Sequence, residues 1–480
     1  MNKKIVFGVT GRILESMFLL LLLPMAVCII YREPQFLSFL ITAVISLGIG
    51  FLLRFFTRNQ SSVMYAKEGF LIVTLAWVSM SLIGALPFYI SGEIPSFADA
   101  LFETVSGFTT TGASILRDVE SLSHGMLFWR SFTHWIGGMG VLVFVLAFVS
   151  GISDRSIHIM RAEMPGPIVG KLMPRAKDTS KILYIMYIVL TVAQIILMLC
   201  GGMSLFDSVV HAFGTAGTGG FGIKADSVAG YSPYLQWVIG IFMLIFGVNF
   251  NLYYLIIIKR FKAVLKSTEL WVYIGMVTVS TVLIVLNISE IYTTTSEAIR
   301  AAFFQVSSII TTTGYTTADF NLWPSFSKAI LFLLMFSGAC AGSTAGGLKI
   351  SRVVILFKII TREVRRMIHP RSVSSVKFEG KEVEEQVQRS VSTYFAVYMM
   401  CILATFLVLS LEPFDFQTTF TSAVSCFNSI GPGFAGVGPT SSYADYSVLS
   451  KLVLSLAMLL GRLEIFPILI SLTPSTWMKR

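Results

Sequence analysis

Charge is what this sequence has least of. Only 13% of its 480 residues are Asp, Glu, Lys or Arg, whereas 55% are hydrophobic. A water-soluble chain of this length needs far more charge to cover its surface, so a soluble globular protein is a poor fit. Cysteine is scarce too. Cys28, Cys200, Cys340, Cys401 and Cys426 stand apart, in or beside apolar segments, with neither metal-ligand spacing nor a disulfide framework. The five histidines (His124, His134, His158, His211, His369) form no H-x-x-x-H or H-E-x-x-H pattern. No Walker A run occurs, and the G-x-G-x-x-G runs at 217–222 and 431–436 follow helix-like segments rather than a strand, which is not the nucleotide-binding signature, so no nucleotide site and no organic cofactor are expected on this chain. Nor is there a cluster of Asp, Glu or His of the kind a membrane enzyme acting on lipid-linked substrates requires, and no enzyme activity is expected.

Long apolar runs, by contrast, recur throughout. Mean hydropathy is +0.77, and runs long enough to cross a bilayer make this a polytopic membrane protein whose solvent is membrane lipid. The first run, Ile13–Tyr31, lacks a small-residue cleavage site and is followed closely by residues 36–56, so both are expected to be retained spans. The formal charge of +10 raises the question of nucleic acid, but the distribution of the basic residues answers it. They cluster in alternate loops: Lys3/Lys4/Arg12, Arg54/Arg58/Lys67, residues 155–181, Lys259/Arg260/Lys262/Lys266, and Lys358 through Arg389. The intervening loops hold chiefly Arg32, Arg117, Lys224 and Arg300. This is the positive-inside pattern, which puts both termini in the cytoplasm and leaves no nucleic-acid partner to invoke.

After the two leading spans one unit recurs four times: an apolar span, a shorter semi-polar segment ending in Gly-rich sequence, and a second apolar span. The copies run from about 69 to 150, 181 to 258, 270 to 360 and 390 to 472, with cytoplasmic loops at 151–180 and 362–389. Their middle segments read FADALFETVSGFTTTGAS, LFDSVVHAFGTAGTGGFG, AIRAAFFQVSSIITTTGYT and FQTTFTSAVSCFNSIGPGFA. Both spans of a unit carry their basic flanks on one side, so the middle segment must dip into the membrane from outside and return. Non-helical backbone at that depth is tolerated where it is buried in protein or lines a watery cavity. Four such loops on one axis supply carbonyl oxygens that replace a cation's hydration shell, and their short helices aim negative C-terminal ends at the ion. TTTG thus occurs at 109–112 and 311–314 because two of four equivalent strands keep it. The expected ion-facing pairs are Thr111–Gly112, Thr218–Gly219, Thr313–Gly314 and Pro432–Gly433. The competing account is four unrelated extracellular loops.

The stretches FETVSGFTTTGAS, WRSFTHWIGGMG, MPGPIVGKLMPR, AGTGGFG, TTTGYTTADFNLWP, CAGSTAGGLKISR, NSIGPGFAGVGP and GRLEIFP resemble those of the TrkH-type potassium uptake subunits of the Trk/Ktr/HKT superfamily. They cover nearly the whole chain, and the leading span pair fits the Trk branch. The resemblance implies an all-α membrane protein with four pseudo-symmetric helix–pore-loop–helix units around one pore, plus two extra N-terminal helices. It further implies potassium as the transported ion, a homodimer in the bacterial inner membrane, and control by a cytosolic TrkA-like ring that binds nucleotide. A sodium-coupled or sodium-permeable transporter of the same superfamily is the alternative. Thr218–Gly219–Gly220 departs from TTTG, and Pro432 stiffens the fourth strand.

Three features lie off the loops. Residues 325–360 are too long for one straight crossing and contain SGACAGSTAGGLK. Small residues of this kind favour close helix packing. The family resemblance favours instead a broken helix whose loop, with Gly342, Gly346, Gly347 and Lys349, blocks the pore. Arg462 and Glu464 sit in the last apolar run, where an ionisable residue faces a cavity or a partner. Two residues apart on a helix, they do not face each other, so a pore-facing Arg462 is expected. Asn249 and Asn251 are expected to hydrogen-bond between helices, and residues 362–389 form the largest exposed cytoplasmic surface.

Overall fold

The structure, a computed structural model, describes residues 2–57, 66–140, 176–371 and 374–477. The regular elements within them are helices apart from one hairpin of two-residue strands, Lys377–Phe378 against Lys381–Glu382. Much of the cytoplasmic loop expected at 151–180, and the MPGPIVGKLMPR stretch with it, lies outside the described residues.

Helices α1 (Lys3–Tyr31) and α2 (Phe36–Phe56) form an antiparallel pair. Gly11 and Gly50 make the close approach: a Cβ on either would come within 2.8 Å of the other's carbonyl oxygen. Small residues let membrane helices pack backbone to backbone, where apolar burial gives no driving force. Ser46 Oγ then donates across the seam to the Leu14 carbonyl at 2.8 Å.

Four three-helix units follow. Each opens with a long apolar helix: α3 (Ala66–Ser91), α6 (Ala176–Cys200), α11 (Thr268–Ile288) and α15 (Glu385–Leu409). All four are long and apolar enough to span a bilayer, as are α1 and α2. The second helix of each unit is shorter: α4 (Phe97–Phe108), α7 (Leu205–Ala216), α12 (Thr295–Ile310) and α16 (Phe416–Phe427). The twelve residues of α4, α7 and α16 reach only about 18 Å and the sixteen of α12 about 24 Å, short of a hydrocarbon core. Each short helix starts at a side-chain cap: Ser96, Ser204, Thr294 and Asp415 accept from the backbone N–H three residues on. Ser96, Ser204 and Thr294 are followed three residues later by Asp99, Asp207 and Glu297, so the first turns carry negative charge where the helix dipole favours it.

The third helices are α5 (His124–Gly138), α8 (Pro233–Phe246), α13 (Ser325–Ser337) and α17 (Val448–Arg462). None of these four runs straight on through the described residues. After α8 the chain bends by 90° into α9 (Phe250–Ile257), and the short α10 (Phe261–Leu265) follows. Asn249 sits at that bend as the N-cap of α9, its Oδ1 accepting from Asn251 N at 2.9 Å. The helix-to-helix bonding expected of Asn249 is thus replaced by capping, because the break leaves local N–H groups to satisfy. After α13 the chain is irregular from Gly338 to Lys349 before α14 (Ile350–Ile368). After α17 it bends by 120° into α18 (Phe466–Leu472), with Glu464 and Ile465 both left-handed, and α19 (Pro474–Trp477) follows.

Candidate functional site

The four short helices end in one backbone motif. Thr109, Gly217, Thr311 and Asn428 are the C-caps, and Thr110, Thr218, Thr312 and Ser429 after them are left-handed at φ +55°, +54°, +57° and +57°. The next N–H reaches back five residues: Thr111 to Ser106 O, Gly219 to Gly214 O and Thr313 to Ser308 O at 2.8 Å, and Ile430 to Ser425 O at 3.0 Å. This is a Schellman closure with a hydroxyl residue where glycine is usual. Gly112, Gly220, Gly314 and Gly431 come next, at φ +80°, +76°, +82° and +96°.

These glycines close a ring. A Cβ on Gly112 would strike the carbonyl oxygen of Gly219, and one on Gly220 that of Thr313. One on Gly314 would strike that of Ile430, and one on Gly431 that of Thr111. Each strand is therefore pressed against the next, in the order of units 1, 2, 3, 4 and back to 1. Both the positive φ and the neighbouring carbonyl exclude a side chain at these four positions.

The register corrects two of the sequence expectations. Thr111–Gly112 and Thr313–Gly314 stand at the ring. In unit 2 the equivalent pair is Gly219–Gly220, and Thr218 sits one step earlier with its hydroxyl donating to Gly217 O at 2.6 Å. In unit 4 the pair is Ile430–Gly431. Pro432 lies one step beyond, its carbonyl accepting from Ser425 Oγ at 3.0 Å, and the Gly433 N–H is bonded to Val437 O at 2.7 Å, off the ring. Matching Thr-Gly and Pro-Gly dipeptides misled because only backbone angles are shared. The helix caps carry a better signal: from Ser96, Ser204 and Asp415 it is sixteen residues to Gly112, Gly220 and Gly431. Unit 3 needs twenty because α12 is four residues longer.

Side chains brace the strands differently in each unit. Thr109 and Thr111 pair their hydroxyls at 2.8 Å, as do Thr311 and Thr313. Tyr315 Oη donates to Phe221 O at 3.0 Å, and Tyr443 Oη to Gly431 O at 2.8 Å. Composition gave no warning of the buried ion pair Arg130–Glu103 (2.6 Å). Arg130 also donates to Gly222 O at 2.9 Å, and Glu103 accepts from Ser114 Oγ and Ile115 N at 3.0 Å. The signal was there, in single ionisable residues within WRSFTHW and FETVSG.

On one side of the ring lies a cavity of about 280 Å³, lined by Gly112, Gly220, Gly314, Gly431 and Pro432 among others. Its basic residues are engaged: Arg117 with Asp445, Arg130 with Glu103, and Lys224 over the Tyr231 ring at 4.3 Å. Segment 338–349 meets the strands on their helix side. Gly346 N–H donates to Thr312 Oγ1 at 2.7 Å, and a Cβ on Gly346 would lie 2.5 Å from Asn428 O. There the space shrinks to about 40 Å³, lined by Gly138, Gly342, Gly346, Gly347, Lys349, Arg462 and Trp77 among others.

Lys349 is buried and its Nζ donates to the Ala345 carbonyl, closing the segment on itself. Arg462 donates to Thr344 O (2.9 Å), Gly137 O (2.5 Å) and Gly138 O (2.8 Å), joining the segment to the end of α5. Glu464 pairs instead with Arg352 on α14. Glu269 Oε1 ties the start of the segment to the first turn of α14 beyond its end, taking the N–H of Ala341 (2.8 Å) and of Ser351 (3.1 Å). Thr110 and Ser429 have buried hydroxyls with no hydrogen-bond partner among the described residues. Buried oxygens around a ring of carbonyls are the donor set a dehydrated alkali cation needs.

A family model described as "TrkH: Cation transport protein" matches residues 36–478. The chain belongs to the TrkH family. It is 37% identical over 465 residues to the Trk system potassium uptake protein TrkH of Salmonella typhimurium, covering 95% of each. It is 35% identical over 480 residues to TrkG of Escherichia coli K12, covering 99% of this chain and 98% of that one. The crystal structure of the potassium transporter TrkH from Vibrio parahaemolyticus superposes with a TM-score of 0.90 at 31% identity, over 100% of both chains. This TrkH-family chain is accordingly a multi-pass membrane transporter rather than an enzyme, with four pseudo-symmetric units around one pore and two added N-terminal helices.

Proposed function

We propose that the chain takes up potassium across a bacterial inner membrane through a gated, channel-like pore. The closed ring built on Gly112, Gly220, Gly314 and Gly431 carries this reading. It acts as the selectivity filter, with potassium as cargo and the carbonyls of Thr111, Gly219, Thr313 and Ile430, with those of the glycines, as ligands. Short helices end at the ring and add negative potential there. Segment 338–349, tied to Thr312 and Arg462, is the gate.

Regulation comes from a cytosolic nucleotide-binding subunit, acting on a homodimer with both termini in the cytoplasm. The relatives' designation as parts of a Trk system supports a partner, and the contacts of residues 374–389 suggest where it acts. At the tip of the hairpin, Glu379 accepts from Ser267 Oγ (3.1 Å) and Glu269 N (3.0 Å), capping α11. Glu269 in turn ties the start of the gate to the first turn of α14 beyond its end.

Potassium flux into liposomes holding only this chain tests the transport reading, with growth of a potassium-uptake-deficient bacterium on limiting potassium as the cellular counterpart. Potassium-selective flux supports it. Sodium flux at equal rate favours the sodium-permeable alternative, and no flux of either ion after deletion of 342–347 overturns the gated pore.

A further inference from the structure

Unit 2 lacks the paired threonines of units 1 and 3. Where those have Thr109/Thr111 and Thr311/Thr313, it has Gly217 and Gly219. The space is taken by a side chain from the neighbouring unit. His134, on α5 of unit 1, is 0% exposed, and its imidazole stacks on Phe221 with centroids 4.1 Å apart at 20°. Phe221 directly follows the ring glycine Gly220. A Cβ on Gly219 would run into three atoms of the His134 ring, Nδ1, Cγ and Cε1, and one on Gly217 into the His134 carbonyl. Gly219 has no positive φ, so its own backbone tolerates a side chain; what excludes one is His134. The imidazole nitrogens are buried, with the Ser106 backbone beside one of them, and against Gly219 the contact is packing.

We propose that His134 is a specificity-determining positioning residue: its imidazole replaces the missing threonine side chain of the unit 2 strand and holds the Gly219 carbonyl in the ring. The idea rests on the filter reading above. Protein interiors are close-packed, and a gap behind one strand lets it shift by the few tenths of an ångström that separate potassium from sodium coordination. Without His134 that strand alone has glycine at both brace positions and nothing behind Gly219.

The test is a reciprocal pair of variants, read as the potassium-to-sodium flux ratio in liposomes. His134→Ala should lower the ratio about tenfold or more by opening space, while the near-isosteric His134→Leu stays within about threefold of wild type. Gly219→Thr should also lower it, by collision. The double variant His134→Ala/Gly219→Thr should recover most of the loss, since the threonine fills the vacated space as Thr111 and Thr313 do. A merely structural role would not produce recovery. Wild-type selectivity in His134→Ala, or a double variant no better than the worse single one, overturns the proposal. If His134→Ala does not fold, Gly219→Ala reads the same contact from the other side, and unchanged selectivity there overturns it equally. Gly112→Ala serves as the control for the filter itself: a lowered ratio there with no effect at His134 rejects only the brace, whereas no effect at either rejects the filter reading.

Discussion

Removing the Arg462 side chain should raise potassium flux in the absence of any partner. Among its contacts with the described residues, one hydrogen bond reaches the gate, at Thr344 O (2.9 Å), and two hold the Gly137 and Gly138 carbonyls at the end of α5. A hydrogen bond from a charged donor contributes about 1.5–3 kcal/mol net. Loss of the Thr344 bond should shift the balance between closed and open gate by roughly ten- to a hundredfold, at about 1.4 kcal/mol per factor of ten. Taking a positive charge out of the narrow cavity adds to the effect in the same direction. Arg462→Lys separates the two contributions. Its ammonium keeps the charge but, as a compact point donor, does not span two segments as the planar guanidinium does. Rubidium uptake into liposomes, at matched protein incorporation, measures both variants. Arg462→Ala should exceed wild type about tenfold with an unchanged potassium-to-sodium ratio, because the ring is elsewhere. Arg462→Lys should fall between if the tether dominates, and match wild type if the charge does. Flux at or below wild type in a folded Arg462→Ala protein refutes the reasoning and makes the residue a structural clasp.

Gly314→Ser should lower potassium-over-sodium selectivity, because its φ of +82° disfavours any side chain and its Cβ would strike the Ile430 carbonyl; unchanged relative flux of the two ions counts against the ring as filter. Glu464→Gln should cost about 3–5 kcal/mol of stability by leaving the buried Arg352 without its counter-charge, seen as a lower melting temperature in detergent. Replacing both by Met should restore much of that loss, and a double variant as unstable as Glu464→Gln rejects the ion-pair account.

The architecture was largely legible because it is written in hydropathy and charge placement, which survive sequence divergence. The four short segments, the ring positions Gly112 and Gly314, and the loop around Gly346 and Gly347 were all visible. What dipeptide matching could not supply was register in the two divergent strands. Thr218–Gly219 looks like Thr111–Gly112, yet the left-handed residue is Thr218 in one and Thr110 in the other. Counting from the caps at Ser204 and Asp415 would have given Gly220 and Gly431. Long-range polar contacts were invisible for a different reason. Glu269 and Ala341 are 72 residues apart, as are no residues whose pairing a local pattern encodes. Arg462 was legible as a residue in need of a partner, but those it bonds among the described residues include three backbone carbonyls, which every residue possesses and no sequence pattern marks.

The hydroxyl at the left-handed position has its own consequence at Thr312. A non-glycine residue there costs about 1 kcal/mol or more, and glycine would remove that cost. Thr312 keeps its side chain to a visible end: Oγ1 accepts the Gly346 N–H at 2.7 Å, so one hydroxyl joins the base of the ring to the gate. Thr312→Ala leaves that N–H buried without its acceptor, at a cost of about 1–3 kcal/mol to the closed state. Flux without a partner should therefore rise about five- to a hundredfold. Thr312→Gly should do the same even though it relieves the backbone, because the bond and not the strain sets the gate. Thr312→Ser keeps the oxygen and should stay near wild type. Flux raised equally in Thr312→Ser and Thr312→Ala would show that the methyl group, through packing, matters rather than the hydroxyl; flux at the wild-type level in both would remove Thr312 from the link, which would then have to run through the Asn428 carbonyl against Gly346.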